Sequence, residues 1–442
     1  MAGWRDDVWE PSWETGLPRG DRRHGAYRQY IPDRLRDVPL RVGPALSERV
    51  GAVEHAVRAL ADHRGAAGLE GLARLLLRSE AIASSMIEGL APSPQQVALA
   101  ELAQDETVRG FSDQAQLVAN NITVLRHAAE DLATPTAVTV ADIVALHAAL
   151  LPDESHHGLR QVQNWIGGSS WHPIDARFVP PPPDLVPGLM ADLVGYLNGA
   201  VHSPLVQAAL VHAQFETIHP FTDGNGRVGR ALIHTVLTRR GLTPSGILPI
   251  SLVLATLGDR YVAGLTSYRY EGEPSAPVAG EAIERWLTVF VDAADTAAEQ
   301  AQRFATEVAT LSEAWQRRLA ESRVSRGLRG TPRGEAASTR LLRMLVEAPI
   351  LTARTAQRLL GVSFPVARAG LEELADAGVL TRRSVDRGAT GYLATEVFDL
   401  LTWTERRLAS TRWDTRLSPP NRAVPVQPTA SSPTVADGNG GS

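Results

Sequence analysis

Cysteine is absent from the 442 residues, so disulfides and thiolate chemistry are excluded, which suits a reducing compartment. Lysine is absent too. Every basic residue is Arg, a bias that GC-rich coding accounts for without any function. No uninterrupted apolar run reaches the roughly 20 residues that a bilayer span needs. The N-terminal "MAGWRDDVWEPSWETG" has early acids and no apolar core, so it does not read as a signal peptide. A bulk positive field is missing as well: 44 basic residues against 49 acidic ones leave a formal charge of −5, which excludes general attraction to nucleic acid or membrane. Together these absences point to a cytoplasmic protein without a membrane partner.

What is present is a 44% hydrophobic content and a length that allows two or three domains. Residues 1–45 are rich in Pro, Arg and Trp with weak periodicity, and are expected to wrap the body as an irregular arm. From about 46 to 300 the pattern is mostly helical. "LSERVGAVEHAVRALADH" and "GLARLLLRSEAIASSMIEGL" repeat apolar residues at intervals of three and four. "TVADIVALHAALL" opens on a cap-like Thr. "LVQAALVHAQFETI" is apolar almost all round, which predicts a central buried helix. One segment departs from this rhythm. "GLRQVQNWIGGSSWHPIDARFVPPPPDL", residues 158–185, has short β-prone runs around a Gly-Gly-Ser turn and predicts a hairpin ended by four prolines. Expected divisions are a helical region at 46–130, a core at 131–300, and a helix with linker at 301–335, the linker reading "GLRGTPRGEAAS". Residues 336–412 then read helix, helix, Gly-containing turn, helix and hairpin, the order of a winged helix–turn–helix. Residues 413–442, rich in Pro, Ser, Thr and Gly, predict a disordered tail.

The densest chemistry lies at 219–230, "HPFTDGNGRVGR". Pro220 disfavours helix at His219. Phe221 is an apolar anchor among polar neighbours, and Gly224, Asn225 and Gly226 permit tight or left-handed backbone. "RVGRALIHTVLTRR" then resumes helix. Free N–H groups at a helix start behind a glycine loop form an anion-binding concavity. Arg227 and Arg230, three apart, share a face near that end. Two guanidiniums above such a nest suit two or more phosphates. Asp223 would repel bare phosphate unless a cation lies between them, and Mg²⁺, held by one carboxylate plus phosphate oxygens, is the natural choice. His219, at the other end of the loop, is placed to take a proton from an incoming hydroxyl.

This string resembles the signature of the Fic family, HPFx[D/E]GNGRxxR, with every defining position filled, and the resemblance extends over most of residues 1–300. It implies a mainly α fold, a Fic-type helical core with a β-hairpin flap, and transfer of AMP from ATP to a Ser, Thr or Tyr hydroxyl of a target protein. A homodimer is also compatible with it. His219 is similar to the family's general base and Asp223 to its Mg²⁺ ligand. Gly224, Asn225 and Gly226 resemble the anion hole at the α-phosphate, Arg227 the β-phosphate contact and Arg230 the γ-phosphate clamp. The family's kinase-like branch, Doc, departs from GNGR at this loop. Gly226 and Arg227 therefore favour nucleotidyl over phosphoryl transfer. "RQVQNWIGG" resembles the flap, where a strand pairs main chain with an extended target segment. Asn164, Trp165, Ile166 and Gly167 are expected to touch nucleotide or target. "DRYVAGLTSYR" resembles the adenine wall, with Tyr261 present and Val262 in place of the usual second Tyr.

"SSMIEG", residues 84–89, is the second informative stretch. Ser84 and Glu88 are four apart and face the same way on a helix. Gly89 as a C-cap, with Pro92 beyond, leaves Glu88 near a helix C-terminus, where an acid is disfavoured and an external Arg would relieve it. The pattern resembles the family's inhibitory motif, [S/T]xxxE[G/N]. That resemblance implies a Glu88–Arg230 pair that occupies the γ-phosphate clamp and misaligns the α-phosphate. The same Glu also leaves open a second activity, AMP removal.

In the stretch 336–412, Phe364 to Ala375 is the candidate recognition helix, with Arg368, and Arg382, Arg383 and Arg387 of the wing, as candidate DNA contacts. Glu372, Glu373 and Asp376 offset that charge. Two readings follow: a self-inhibited, Mg²⁺-dependent protein adenylyltransferase, or a DNA-binding regulator whose core senses nucleotide.

Overall fold

The computed structural model describes residues 1–11, 22–37, 40, 42–62, 69–244, 246–332 and 334–409. The expected disordered tail at 413–442 lies outside them. The chain is mostly helical, as expected, and its described residues divide into two compact units. The first comprises the described residues within 1–62, 76–91 and 117–301; the second comprises those within 69–75, 92–116 and 302–409. Among the described residues, no helix is long and apolar enough to cross a membrane.

The N-terminal arm is not irregular. β1 (Gly3–Trp9) pairs antiparallel with β2 (Gly25–Ile31), Asp7 opposite Tyr27 and Arg5 opposite Gln29. The ribbon was hidden from periodicity because its inward face is polar. Asp7 Oδ2 accepts from Tyr27 Oη at 2.9 Å and from Gln29 Nε2 at 2.6 Å, and Arg5 Nη2 donates to Gln29 Oε1 at 3.0 Å. Polar groups satisfied this way can be buried without an apolar alternation.

The helices that follow are α1 (Pro44–Asp62), α2 (Leu69–Ile87), α3 (Pro94–Ala103), α4 (Asp113–Ala129) and α5 (Val140–Leu150). Thr139 caps α5 in a reciprocal capping box with Asp142, at 3.2 and 2.8 Å. Next come α6 (Val186–Leu197), α7 (Pro204–Ile218), α8 (Asn225–Arg239), α9 (Ile250–Thr256), α10 (Gly258–Tyr268) and the long α11 (Pro277–Ser325). All fifteen residues of α7 are buried, as its all-round apolar character predicts. It is the axis of the first unit, with α1, α6, α8 and α10 against it. Trp286 of α11 is fully buried and donates from Nε1 to Ala209 O of α7 at 2.9 Å.

The hairpin expected at 158–185 is reduced to one antiparallel bridge, Ile166 with Phe178. Prolines 180–183 lack N–H groups for a ladder, and the first two carbonyls are taken by side chains: Gln163 Nε2 reaches Pro180 O at 3.0 Å and Arg160 Nη2 reaches Pro181 O at 2.5 Å. The segment is braced instead by the N-terminal ribbon. Tyr30 N donates to Val179 O at 2.9 Å, Trp9 packs edge-on against Trp165, and Arg23 pairs with Asp175.

The second unit contains α12 (Ala337–Met344), β3 (Ile350–Thr352), α13 (Ala353–Leu360), α14 (Phe364–Asp376), β4 (Thr381–Asp386), β5 (Ala389–Leu393) and α15 (Thr395–Ala409). Its sheet runs β3-β5-β4, antiparallel throughout. The unit is larger than the stretch 336–412 expected for it. Ala98, Leu99 and Leu102 of α3 share a core with Ile350, Leu393 and Phe398. α3 is buried at Val97, Ala98, Leu99, Ala100 and Leu102, so it has no solvent face from which to read its packing.

Candidate active site

α7 ends at Ile218, and the chain turns at His219, which has φ 50°. It is the one non-glycine residue with positive φ among those described, a conformation that costs about 1–2 kcal/mol. The surroundings hold it there. His219 N donates to Phe215 O at 2.8 Å, and His219 O accepts from Arg160 Nε at 2.8 Å and Asn164 Nδ2 at 3.3 Å. Phe221, fully buried, stacks on His147 with ring centroids 3.8 Å apart. Asn225 closes the loop with two bonds of 2.8 Å to the backbone N–H and C=O of Phe221. Gly224, at φ 76°, starts α8 in a conformation that a side chain would strain. His147 Nε2 lies 3.0 Å from Asp223 O, which can only accept, so Nε2 carries the proton. Burial lowers the His147 pKa and keeps it neutral. Sequence reasoning missed Arg160 and His147. Both act on loop carbonyls, for which no local pattern exists.

The basic groups gather at the start of α8. Arg230 is 1% exposed; its Nε donates to Ser84 Oγ at 2.9 Å and its Nη2 to Ser84 O at 2.7 Å and Glu88 Oε1 at 2.8 Å. Ser84 and Glu88 are thus brought to one guanidinium. Burial pulls the Arg230 pKa down, but Glu88, Tyr261 and Glu216 outweigh it and the pKa ends raised. A Cβ at Gly226 would collide with Glu88 Oε1, so the Glu88 carboxylate lies against the first turn of α8, where a helix favours negative charge. The end of α2 is itself fixed. Glu80, fully buried, accepts from Ser251 N at 2.8 Å and faces His234 Nε2 at 2.9 Å. Arg227 is the contrast. It is 3% exposed, its Nε and Nη1 have no hydrogen-bond partner, and Asp223 Oδ2 is 3.8 Å from Nη2. Two guanidinium nitrogens without a protein partner among the described residues fit an anion.

The His219 side chain is 18% exposed, with its Nδ1 buried 3.9 Å from Glu216 Oε2. Burial, then the positive charges of Arg160 and Arg269, push its pKa down to about 4, so the imidazole is neutral at pH 7. Asp223 is 61% exposed; Oδ1 accepts from Gly224 N at 2.6 Å. One outward carboxylate fits a magnesium ion whose other ligands are phosphate and water. Among the described residues no group of three or more His, Cys, Asp or Glu is disposed to hold a metal by itself.

Four of the residues expected to touch nucleotide or target also have partners inside the protein. The amide of Asn164 is spent on the loop, donating to Phe221 O at 2.9 Å as well as to His219 O, so it positions the loop. Trp165 Nε1 donates to Ser169 O at 2.6 Å, and Gly167, at φ 75°, lies under Arg177, so these two shape the segment's own turn. Tyr261 is 4% exposed and its hydroxyl lies 2.8 Å from His212 Nε2, which places it in the core. Ile166 keeps only its bridge to Phe178. In the second unit, Arg382 is tied to Glu372 and Asp376, each at 2.6 Å, and Arg368 lies 3.9 Å from Glu372. Arg383 and Arg387 are exposed.

Residues 137–237 match the Fic/DOC family. The chain is 34% identical over 145 residues to protein adenylyltransferase fic-1 of Caenorhabditis briggsae, a match covering 28% of this chain and 27% of that protein. It is 46% identical over 68 residues to the probable protein adenylyltransferase aq_aa38 of Aquifex aeolicus, covering 15% and 21%. The chain thus spans about a quarter of the length of the curated relatives it matches. Among solved structures, a Fic family protein from Desulfovibrio desulfuricans is similar at 22% identity with a TM-score of 0.46, over 80% of this chain and 98% of that one.

Proposed function

We propose, from the match of residues 137–237 to the Fic/DOC family and from the geometry of the site, that the protein is a self-inhibited adenylyltransferase, moving AMP from ATP to a hydroxyl of a target protein. The observation that carries this reading is the Glu88 carboxylate against the first turn of α8, bonded to Arg230 beside an unsatisfied Arg227. An acid of the chain itself occupies a place suited to phosphate.

With Glu88 withdrawn, the triphosphate lies along the start of α8. Arg230 takes the γ-phosphate and Arg227 the β-phosphate. The N–H groups of the Gly224–Gly226 turn meet the α-phosphate; Asn225 contributes backbone only, because its side chain is already engaged with Phe221. Asp223 would hold Mg²⁺, which supplies neutralisation of phosphate charge when bound. Neutral His219 accepts the hydroxyl proton, the hydroxyl oxygen bonds the α-phosphorus, and pyrophosphate leaves with the electron pair. The alternative, a DNA-binding regulator, is disfavoured by the acids that neutralise Arg368 and Arg382.

The test compares ATP labelled at the α- or γ-position with a Glu88→Gly protein. Label carried only from the α-position is expected. Label carried only from the γ-position would make the protein a kinase and overturn the reading.

A further inference from the structure

Glu216 is a buried acid that the proposed transfer does not use. It sits on α7 one turn before His219, 7% exposed, with Oε1 lacking any hydrogen-bond partner. A buried acceptor without a protein partner is costly, and an apolar residue in the same place would avoid the cost. The surroundings make room for the carboxylate. A Cβ at Gly229 on α8 would stand 2.8 Å from Oε1 and 2.9 Å from Phe215 Cδ1.

We infer that Glu216 is the positioning carboxylate of His219, holding a proton on Nδ1 so that Nε2 is free to accept one. The inference rests on the transfer reading for its chemistry, but its geometry stands alone. Oε2 is 3.9 Å from Nδ1, longer than a hydrogen bond in this structure and close enough for one to form if the ring and carboxylate approach on substrate binding, as catalytic hydrogen bonds commonly do. As a carboxylate, Glu216 accepts from Nδ1–H, which leaves the Nε2 lone pair toward the substrate. As a carboxylic acid it donates to Nδ1, which places the ring proton on Nε2 and blocks the base. Once Nε2 has taken the hydroxyl proton, the ionised Glu216 also balances the imidazolium against Arg160 and Arg269. It forms no bond to substrate.

The charged and titratable groups facing Glu216 among the described residues include Arg230 of α8, Glu88 beyond α2, Tyr261 of α10, Arg269 beyond α10, and His212 and His219 on its own side. Burial raises its pKa to about 7; Arg230 opposes this and Glu88 adds to it. His212 is pushed down to about 3 by burial and then by Arg230, so it is neutral. The working form of Glu216 therefore appears as pH rises through about 7, and the inhibitory Glu88 suppresses it.

Two measurements test this. In the Glu88→Gly background, Glu216→Gln is expected to lower kcat for α-label transfer about tenfold or more. KM for ATP and the melting midpoint should stay unchanged, and the rise in rate with pH, which in this background lies below about pH 7 because Glu88 no longer raises the Glu216 pKa, should vanish; Glu216→Asp should restore that limb. Equal kcat with an unchanged pH profile overturns the inference. The second measurement needs no transfer. The His219 ring signal in NMR is expected to show an inflection near pH 7 in the parent protein, absent in Glu216→Gln. If the inflection is missing from the parent, or survives in the variant, Glu216 does not position the base. Failure of Glu88→Gly to carry any label would sink the transfer reading separately.

Discussion

A Glu88→Gly protein is expected to label itself from α-labelled ATP roughly 10- to 150-fold faster than the parent. The figure is the rate equivalent of one charge-assisted hydrogen bond, roughly 1.5–3 kcal/mol. Glu88 meets Arg230 at 2.8 Å, but its side chain is 38% exposed, so solvent screening sets the gain toward the lower end. Two effects act together. Arg230 becomes available to a γ-phosphate, and the first turn of α8 loses a carboxylate that lies where phosphate would. Glu88→Gln, which keeps the size and removes the charge, is expected to fall between the two. Initial rates of label incorporation check this; equal rates in parent and Glu88→Gly would remove the lock.

His219→Ala in the same background is expected to lose transfer by about 10²- to 10⁴-fold, the usual contribution of a general base. ATP binding should persist, because the phosphate contacts assigned above come from α8 and its turn. Alanine keeps a non-glycine residue at φ 50°, so the backbone penalty is retained and the loss reports on the imidazole. The sign of the pH dependence follows from the environment. Burial and Arg160 hold the His219 pKa down to about 4, so protonation of the base removes activity only as pH falls toward that value. The limb at higher pH, between that value and about 7, belongs to Glu216. Retained transfer by His219→Ala with ATP bound would reassign the base.

Much of this site was legible before any coordinates. Pro220 and the glycines marked the break between α7 and α8, and the all-apolar run 205–218 marked α7 as central, because these features act through local backbone and simple burial. The meeting of Glu88 with Arg230 could be expected only by resemblance, since 142 positions separate them. Where polar groups do structural work, the sequence was silent. Asp7 and Gln29 face inward and hid a strand pair; Asn164 and Arg160 serve loop carbonyls; Tyr261 turned into the core toward His212. Glu216 escaped notice because a carboxylate inside an apolar helix reads as a stray polar residue until the buried ring beside it is seen. α3 was hidden for the opposite reason: a helix buried nearly all round carries no stripe to tell what covers it.

The most direct measurement is a crystal structure of Glu88→Gly with Mg²⁺ and a non-hydrolysable ATP analogue. The account predicts the triphosphate along the first turn of α8, the γ-phosphate on Arg230, and His219 Nε2 beside the α-phosphorus with space for one hydroxyl. Phosphates bound elsewhere, or His219 beside the γ-phosphorus, would contradict it.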